Sequence, residues 1–182
     1  MHSIDAQQSE HNHQDLSGER AVAKMRELAE RSRTCFFCTT PSKSPTTSTA
    51  FVSRPMSVQR VDETGALLFL APIDGDLVRD VRTSPRVQLL FQASAHADFL
   101  ALEGSADVSQ DRALIHELWE PICKVWFTGG PDDPRIAVLR VQAERGQYWE
   151  TKHGRAVALA KMIVGAAIGK TFDDSMQGKL TV

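Results

Sequence analysis

The sequence predicts a mainly β protein with flanking helices (an α+β fold), built around an antiparallel, barrel-like sheet. Short runs enriched in β-branched and aromatic residues follow one another at regular intervals, separated by Gly, Pro, Asp and Ser. Only a few short helical patterns interrupt these runs, which argues against a doubly wound parallel sheet. The chain also lacks G-x-G-x-x-G and G-x-x-x-x-G-K-[ST], the phosphate-cradling turns of Rossmann and P-loop folds.

The composition is that of an ordinary folded domain. The 182 residues are 42% hydrophobic and 24% charged, which suits one core with terminal extensions. Lys and Arg number 21 against 23 Asp and Glu, so nucleic acid is not expected as a partner. The longest apolar run, 156–168, falls short of the about 20 residues that a membrane span needs. An odd number of cysteines, three, and the lack of an export leader favour a cytoplasmic location.

The chain divides into a leader, one domain and a tail. Residues 1–16 show no apolar period and are predicted to be a disordered leader. The domain, 17–172, begins with an amphipathic helix that carries Val22, Met25, Leu28 and Ala29 and ends near Arg33. A helical segment from residue 155 closes the domain, and 173–182 are predicted to be a flexible tail.

Six segments predict strands, and a seventh, shorter segment is kept as a further candidate. They are 34–40, 47–60, 66–71, 86–92, 98–108 and 136–143, with 147–150 as the further one. Two helices interrupt them. The first follows Asp74, taken as its N-cap, and ends at Ser84–Pro85; the second follows Ser109 and ends at Pro121. Glu103–Gly104 is typical of a turn or a bulge.

One strand pattern, 51–58, presents an arginine followed by a proline. Pro55 donates no backbone hydrogen bond, so it indicates an edge, a bulge or a place where the ladder opens to something else. Arg54 is then a permanent cation beside an opened backbone, which suits a phosphate or carboxylate ligand. A structural ion pair at a strand end explains the same pattern, and the residues alone leave the two interpretations open.

Other candidate groups are weaker. Cys35 and Cys38 have redox or zinc spacing, but a strand would send them to opposite faces, so a core strand is the favoured interpretation. Cys123 lies in an apolar segment and receives no role. His96 and His116 have no nucleophile that spacing can connect to them. The histidines of the leader, His2, His11 and His13, lack a metal-ligand pattern.

Two aromatic residues, Trp126 and Phe127, run directly into a Gly-Gly-Pro turn. They are candidates for a lid over a planar ligand, because aromatic faces provide much contact area at little entropic cost. Anchoring the loop to the core is the alternative.

An ordered series of short segments extends from about Ala21 to Thr171. It comprises Ser53–Met56, the strand–turn–helix from Ala66 to Val81, Ser84–Val87, Glu103–Ala106, Asp111–Arg112, Leu118–Trp119 and Trp126–Pro134. Taken together, these segments resemble the general stress protein branch of the pyridoxamine 5'-phosphate oxidase-like split-barrel flavoproteins. The resemblance implies a six-stranded antiparallel split barrel that pairs as a homodimer, with FMN in each of two clefts between the subunits.

The resemblance also implies a set of cofactor-binding residues. Arg54 matches the arginine that holds the flavin phosphate, Met56 would lie beside the ring, and Trp126 would close the cleft from the partner chain. The full set is Ser53, Arg54, Met56, Leu70, Ala71, Leu77 and Trp126, with Leu70 and Ala71 offering backbone groups.

Three positions depart from the family pattern. Ala71 stands where a Thr is usual, and Gly75 and Leu77 stand where a Ser and a Lys are usual. A lost charge-assisted hydrogen bond costs on the order of 1.5 to 3 kcal/mol, so weak FMN binding, or FAD or another flavin in its place, is expected.

The resemblance therefore predicts an FMN-binding general stress protein with a redox role as a flavin-dependent oxidoreductase. The alternative is a non-catalytic protein that binds or sequesters flavin. A haem or deazaflavin binder is a third hypothesis, in which His96 or His116 would have to reach the haem iron. No catalytic residue is assigned. A true pyridoxamine phosphate oxidase is not expected, because the basic substrate-phosphate site near the C-terminus is missing.

Overall fold

The computed structural model describes residues 13–42, 51–93, 98–151 and 175–182. Within these residues, nine strands form one sheet, and three α-helices and two 3₁₀ segments accompany it. The strands are β1 (Leu16–Ser17), β2 (Thr34–Thr39), β3 (Val52–Ser57), β4 (Arg60–Val61), β5 (Leu67–Pro72), β6 (Arg86–Gln92), β7 (Phe99–Ser109), β8 (Ile136–Thr151) and β9 (Ser175–Thr181). The helices are α1 (Glu19–Ser32), α2 (Asp76–Thr83) and α3 (Arg112–Leu118), and the 3₁₀ segments are Pro121–Val125 and Gly130–Asp132. No described helix is long and apolar enough to cross a membrane.

The sheet is almost wholly antiparallel, in the order β1-β9-β8-β7-β6-β2-β3. Strand β8 is the hub, because its first half pairs with β5 and its second half pairs with β9 along the same edge. Strand β4 adds to the other edge of β5. No described ladder joins β3 to β5, so the barrel stays open at this point. The expected fold class is therefore right, but the sheet has nine strands and does not close, which corrects the six-stranded expectation.

The apolar face of α1 seals one end of the barrel. Met25, Leu28 and Ala29 are at most 1% exposed and lie in the main core cluster, as their helical spacing predicts. Val22, predicted on the same face, is only partly buried and packs against the cluster, whereas Ala21 is fully buried. Phe37 of β2 contacts Phe69 of β5 edge to face, with ring centroids 5.2 Å apart. A second apolar cluster joins α3 to β5 and β8 and comprises Leu68, Leu70, Ile115, Leu118, Cys123, Phe127, Ile136 and Val138.

Several element boundaries differ from their predictions for local reasons. The strand predicted over 47–60 divides into β3 and β4, because Val58 N–H turns to Arg33 O (2.9 Å) and Gln59 N–H to Leu68 O (2.8 Å). Residues 47–50 lie outside the described residues. Strand β8 is continuous, and the break expected after residue 143 is absent. The register of the β7–β8 ladder shifts between Glu103 and Gly104, as expected of a bulge. Their partners are Arg145 and Ala143, so the extra residue is Glu144 of β8.

Both expectations about the termini need correction. The predicted flexible tail contains β9, whose seven residues complete the edge of β8, since a strand as long as β8 leaves backbone groups that another strand can pair. Residues 1–12 lie outside the described residues, but the end of the predicted leader is ordered. Gln14 N–H donates to Gln177 O (2.8 Å), the Tyr148 hydroxyl donates to Gln14 O (2.8 Å), and Leu16 is buried. The predicted C-terminal helical segment, 155–172, lies outside the described residues.

Candidate functional site

A cleft of about 770 Å³ occupies the gap between β3 and β5. Its other walls are the first turn of α2 and the 3₁₀ segment Pro121–Val125 with the two aromatic residues that follow it. This volume is within the range of small-molecule sites, about 300 to 1,000 Å³. Six of the seven predicted site residues line the cleft: Arg54, Met56, Leu70, Ala71, Leu77 and Trp126.

The seventh predicted residue, Ser53, does not line the cleft. It is exposed, and its hydroxyl lies 3.3 Å from the Sγ of Cys38. Ser53 is therefore not among the residues that line the described cleft, and its role as a cofactor ligand stays a prediction.

Arg54 is held in place by groups from two other elements. Its Nη1 donates to Thr39 Oγ1 (2.8 Å) on β2, and its Nη2 donates to Asp80 Oδ2 (2.8 Å) on α2. The Thr39 hydroxyl in turn donates to the same Asp80 oxygen (3.0 Å), which closes a triangle of three side chains. Described residues use two of the five guanidinium donors. Arg54 thus lines a cleft and also belongs to an ion pair, so the two interpretations of the sequence are compatible.

Asp80 is a buried carboxylate at the back of this site. Its side chain is only 4% exposed, and it also accepts a hydrogen bond from the Ser42 backbone N–H (2.8 Å). Burial by itself would raise the pKa of Asp80, but hydrogen bonds from Ser42, Arg54 and Thr39 outweigh burial and hold that pKa below its usual range. The carboxylate is therefore ionised at neutral pH and opposes part of the charge of Arg54.

The backbone of β5 is open toward the cleft. Leu68 O accepts from Gln59 N–H, so Leu68 directs its backbone groups away from β8. Residues two apart on a strand direct these groups the same way, which places the N–H and C=O of Leu70 on the cleft side. No described strand pairs with Leu70 along that edge. An incoming ligand would find a free donor and a free acceptor there.

The N-terminus of α2 also reaches the cleft. Its N-cap is Gly75, which lines the cleft and provides no side-chain cap. The Asp74 N-cap prediction is wrong, because a turn closed by Gly75 N–H and Pro72 O (3.0 Å) delays the helix by one residue. Free N–H groups in the first turn attract anions, but Asp76, which pairs with Arg79 in the same turn, opposes that attraction.

The two aromatic residues divide between the lid and anchor interpretations. Phe127 is 4% exposed and packs in the second core cluster, so it anchors the loop. Trp126 is 63% exposed and lines the cleft of its own chain, whereas the resemblance implied a contribution from the partner chain. Ile122 and Val125, on the same segment, are also exposed, at 56% and 68%.

The three cysteines, Cys35, Cys38 and Cys123, are buried and free. Burial, and to a lesser extent the neighbouring Cys38, raises the pKa of the Cys35 thiol to about 12, which makes it a poor nucleophile. The core-strand interpretation of the cysteine pair agrees with this burial. No group of three or more His, Cys, Asp and Glu in the described part of the chain could hold a metal ion.

The two histidines within the described ranges, His13 and His116, do not line the cleft. His116 Nε2 lies 2.8 Å from Asp132 Oδ1, and His116 does not line the cleft. His13 pairs with Asp15 (2.9 Å). His2, His11 and His96 lie outside the described residues.

Sequence reasoning missed Asp80 and Thr39. The sequence does contain an indication of Asp80. It follows Leu77 by three residues and precedes Val81 by one, so helical spacing places its carboxylate on the buried face of α2. A buried carboxylate needs a compensating cation, and Arg54 is a cation that can provide it.

Comparison with known proteins identifies the family. The pyridoxamine 5'-phosphate oxidase-like family model matches residues 20–173. Protein bli-3 of Neurospora crassa is 27% identical over 128 residues, which span 65% of this chain and 61% of that protein.

Solved structures similar to this chain include general stress proteins. A Jannaschia sp. CCS1 protein assigned as general stress protein 26 aligns with a TM-score of 0.71 at 23% identity, covering 88% of this chain and 97% of that one. The general stress protein 26 of Bacillus anthracis aligns at 0.60 and 20% identity, covering 70% and 92%. A general stress FMN/FAD binding protein of Xanthomonas citri aligns at 0.59 and 23% identity, covering 74% and 91%. At these identities the likeness establishes a shared fold. Since the family model covers most of its length, the chain belongs to the pyridoxamine 5'-phosphate oxidase-like family.

Proposed function

We propose that this protein binds a flavin, FMN or FAD, in the cleft between β3 and β5. The observation that carries the proposal is the convergence of Arg54, an open backbone edge at Leu70 and an apolar floor in one cleft of suitable volume. Among its structural neighbours is a protein described as FMN/FAD binding. Family membership and the cleft chemistry thus point to the same class of ligand.

The described residues fit a flavin. A planar ring needs apolar contact, which the side chains of Met56, Leu70 and Trp126 supply. The ring edge carries hydrogen-bonding groups that match the free N–H and C=O of Leu70. A phosphate would use the remaining donors of Arg54 and the first turn of α2. The three departures, Ala71, Gly75 and Leu77, remove two hydroxyl donors and one cation, so we expect weaker binding than in relatives that keep them.

A second copy of the chain is proposed to cover the cleft. Ile122, Val125 and Trp126 form an exposed apolar patch along its rim, and such patches mark interaction sites. A homodimer with flavin between the subunits would bury this patch. Analytical ultracentrifugation tests the proposal, since a monomer at micromolar concentration, with and without FMN, would contradict it.

The flavin, when bound, would supply hydride or electron chemistry, and the protein would orient it and keep it dry. Whether the protein is an oxidoreductase or a flavin-binding stress protein without catalysis is a separate question.

Absorption spectroscopy tests the proposed function. The purified chain, titrated with FMN and FAD, should shift and saturate the visible flavin spectrum, and Arg54→Ala should weaken FMN binding by up to about tenfold, the equivalent of 1.4 kcal/mol. A colourless protein that leaves both spectra unchanged would contradict flavin binding, and a haem or deazaflavin spectrum would replace it with another cofactor. Anaerobic addition of NADH or NADPH then separates the two functions, because an oxidoreductase fed by nicotinamide would bleach the bound flavin.

A further inference from the structure

The cationic side chains that line the described cleft are both neutralised by carboxylates. Arg54 lies 2.8 Å from Asp80, and Arg33, at the other end, lies 3.2 Å from Glu120. No described lysine lines the cleft. Among the described residues, the cleft therefore offers no cation whose charge is free for a ligand.

The two ion pairs differ in how firmly they are held. Arg33 and Glu120 are 65% and 46% exposed, so water screens them and either side chain can swing away. Asp80 is 4% exposed and accepts from Ser42, Thr39 and Arg54, so it cannot leave when a ligand arrives. The charge of Arg54 is therefore partly neutralised by Asp80, which stays in place. Because the site is partly desolvated, the two charges interact more strongly than they would in water.

A phosphate monoester is close to a dianion at neutral pH. In this cleft its attraction to Arg54 is opposed by Asp80 and further by Asp76 at the first turn of α2. The ring-binding part of the cleft bears no such opposition, because Met56, Leu70 and Ala71 are apolar and the Leu70 backbone is neutral. Ring contacts should therefore supply most of the affinity.

We propose that Asp80 is a specificity-determining residue that makes this cleft recognise the flavin ring rather than the phosphate, so that riboflavin binds nearly as well as FMN. The inference rests on the proposed function and deepens it by naming the ligand class: flavins with or without a phosphate. Asp80 acts through Arg54, which it orients and partly neutralises. Removing the Asp80 charge should leave the ring contacts intact and make the cleft bind FMN more tightly than riboflavin.

The experiment is a pair of titrations, riboflavin and FMN, followed by the quenching of flavin fluorescence at neutral pH. In the wild-type chain the two dissociation constants should agree within about tenfold. In Asp80→Asn, FMN should bind about tenfold more tightly while riboflavin changes by less than about threefold. The riboflavin value is the internal control for folding, since a damaged cleft would weaken both ligands.

Two further variants make the test specific. Asp80→Glu keeps the charge and should keep the wild-type ratio of the two dissociation constants. Glu144→Gln also removes one negative charge, but Glu144 is exposed, pairs with Arg86 and does not line the cleft, so the ratio should change by less than about threefold.

The outcomes separate this inference from flavin binding itself. Wild-type binding that favours FMN by more than about tenfold, or an Asp80→Asn ratio equal to the wild-type ratio, overturns the role of Asp80 while flavin binding stands. Failure of both riboflavin and FMN to bind the wild-type chain overturns the proposed function and, with it, this inference.

Discussion

Replacing Arg54 with alanine should destabilise the ligand-free protein as well as weaken flavin binding. Asp80 would stay buried after losing the guanidinium that lies 2.8 Å from it. Removing one partner of a buried ion pair costs about 3 to 5 kcal/mol, and a single charge-assisted hydrogen bond about 1.5 to 3 kcal/mol. The Arg54 side chain is 24% exposed, and Asp80 keeps its hydrogen bonds from Ser42 and Thr39. We therefore expect Arg54→Ala to lower the free energy of unfolding by about 2 to 3 kcal/mol, between these two estimates.

The double variant Arg54→Ala/Asp80→Asn provides the matched control. Neutralising Asp80 removes the buried charge that the single variant leaves without a cation, so part of the lost stability should return. The effects of the two substitutions on the free energy of unfolding should therefore be non-additive by at least about 1 kcal/mol. Urea denaturation without ligand measures this free energy for the wild type, the two single variants and the double variant. The four values can be compared if the m-value is the same for all four proteins.

Two results would refute this reasoning. A loss below about 0.5 kcal/mol for Arg54→Ala would mean that the ion pair contributes nothing to folding. Strict additivity in the double variant would mean that the two side chains act independently. The same pair also predicts acid sensitivity, because the pKa of Asp80 is lowered in the folded state. Its contribution to stability is therefore present above 3.8, the usual pKa of an aspartate, and is lost as the pH falls from there toward the lowered pKa.

Three further predictions concern the fold. Phe37→Ala should lower the free energy of unfolding in urea by about 3 to 5 kcal/mol, because Phe37 is fully buried. Phe36 is 56% exposed, so Phe36→Ala should lower it by less than about 1 kcal/mol. Equal losses would contradict the assignment of Phe37 to the buried face of β2. Gly104→Ala should cost at least about 1 to 3 kcal/mol in thermal unfolding, because an added Cβ would collide with the backbone of β8 at the bulge, and an unchanged melting temperature would contradict that packing. Hydrogen bonds from Arg135 lower the pKa of Asp133 to about 2, so the wild-type protein should lose stability as the pH falls from 3.8 toward 2. The Asp133→Asn variant should lose less stability than the wild type over that pH interval, as measured by an acid titration followed by circular dichroism. Parallel titration curves for the two proteins would contradict a stabilising role of the Asp133 carboxylate.

Much of the fold follows from local patterns. Helical spacing of Met25 and Leu28 predicts the face of α1 that the core buries, and alternation in the strands predicts their buried sides. The edge strands at the termini could not be predicted this way. Strand β9 carries Gly178 and few β-branched residues, and it is ordered through its ladder with β8, an interaction between distant parts of the chain.

The candidate site was predictable in part. The proline beside Arg54 correctly indicated a place where the sheet opens, because β3 has no described partner on its cleft side. Six of the seven residues that the resemblance implied line one cleft, and Ser53 does not. The pairing of Arg54 with Asp80 joins residues 26 apart in the chain, so local patterns could not predict it.

A crystal structure of the chain grown with FMN would show whether the cleft between β3 and β5 is a flavin site. We expect the flavin ring between these two strands, in contact with Met56 and the Leu70 backbone, with Arg54 still bonded to Asp80. A flavin bound elsewhere, or a cleft filled by protein side chains while FMN is excluded, would contradict it.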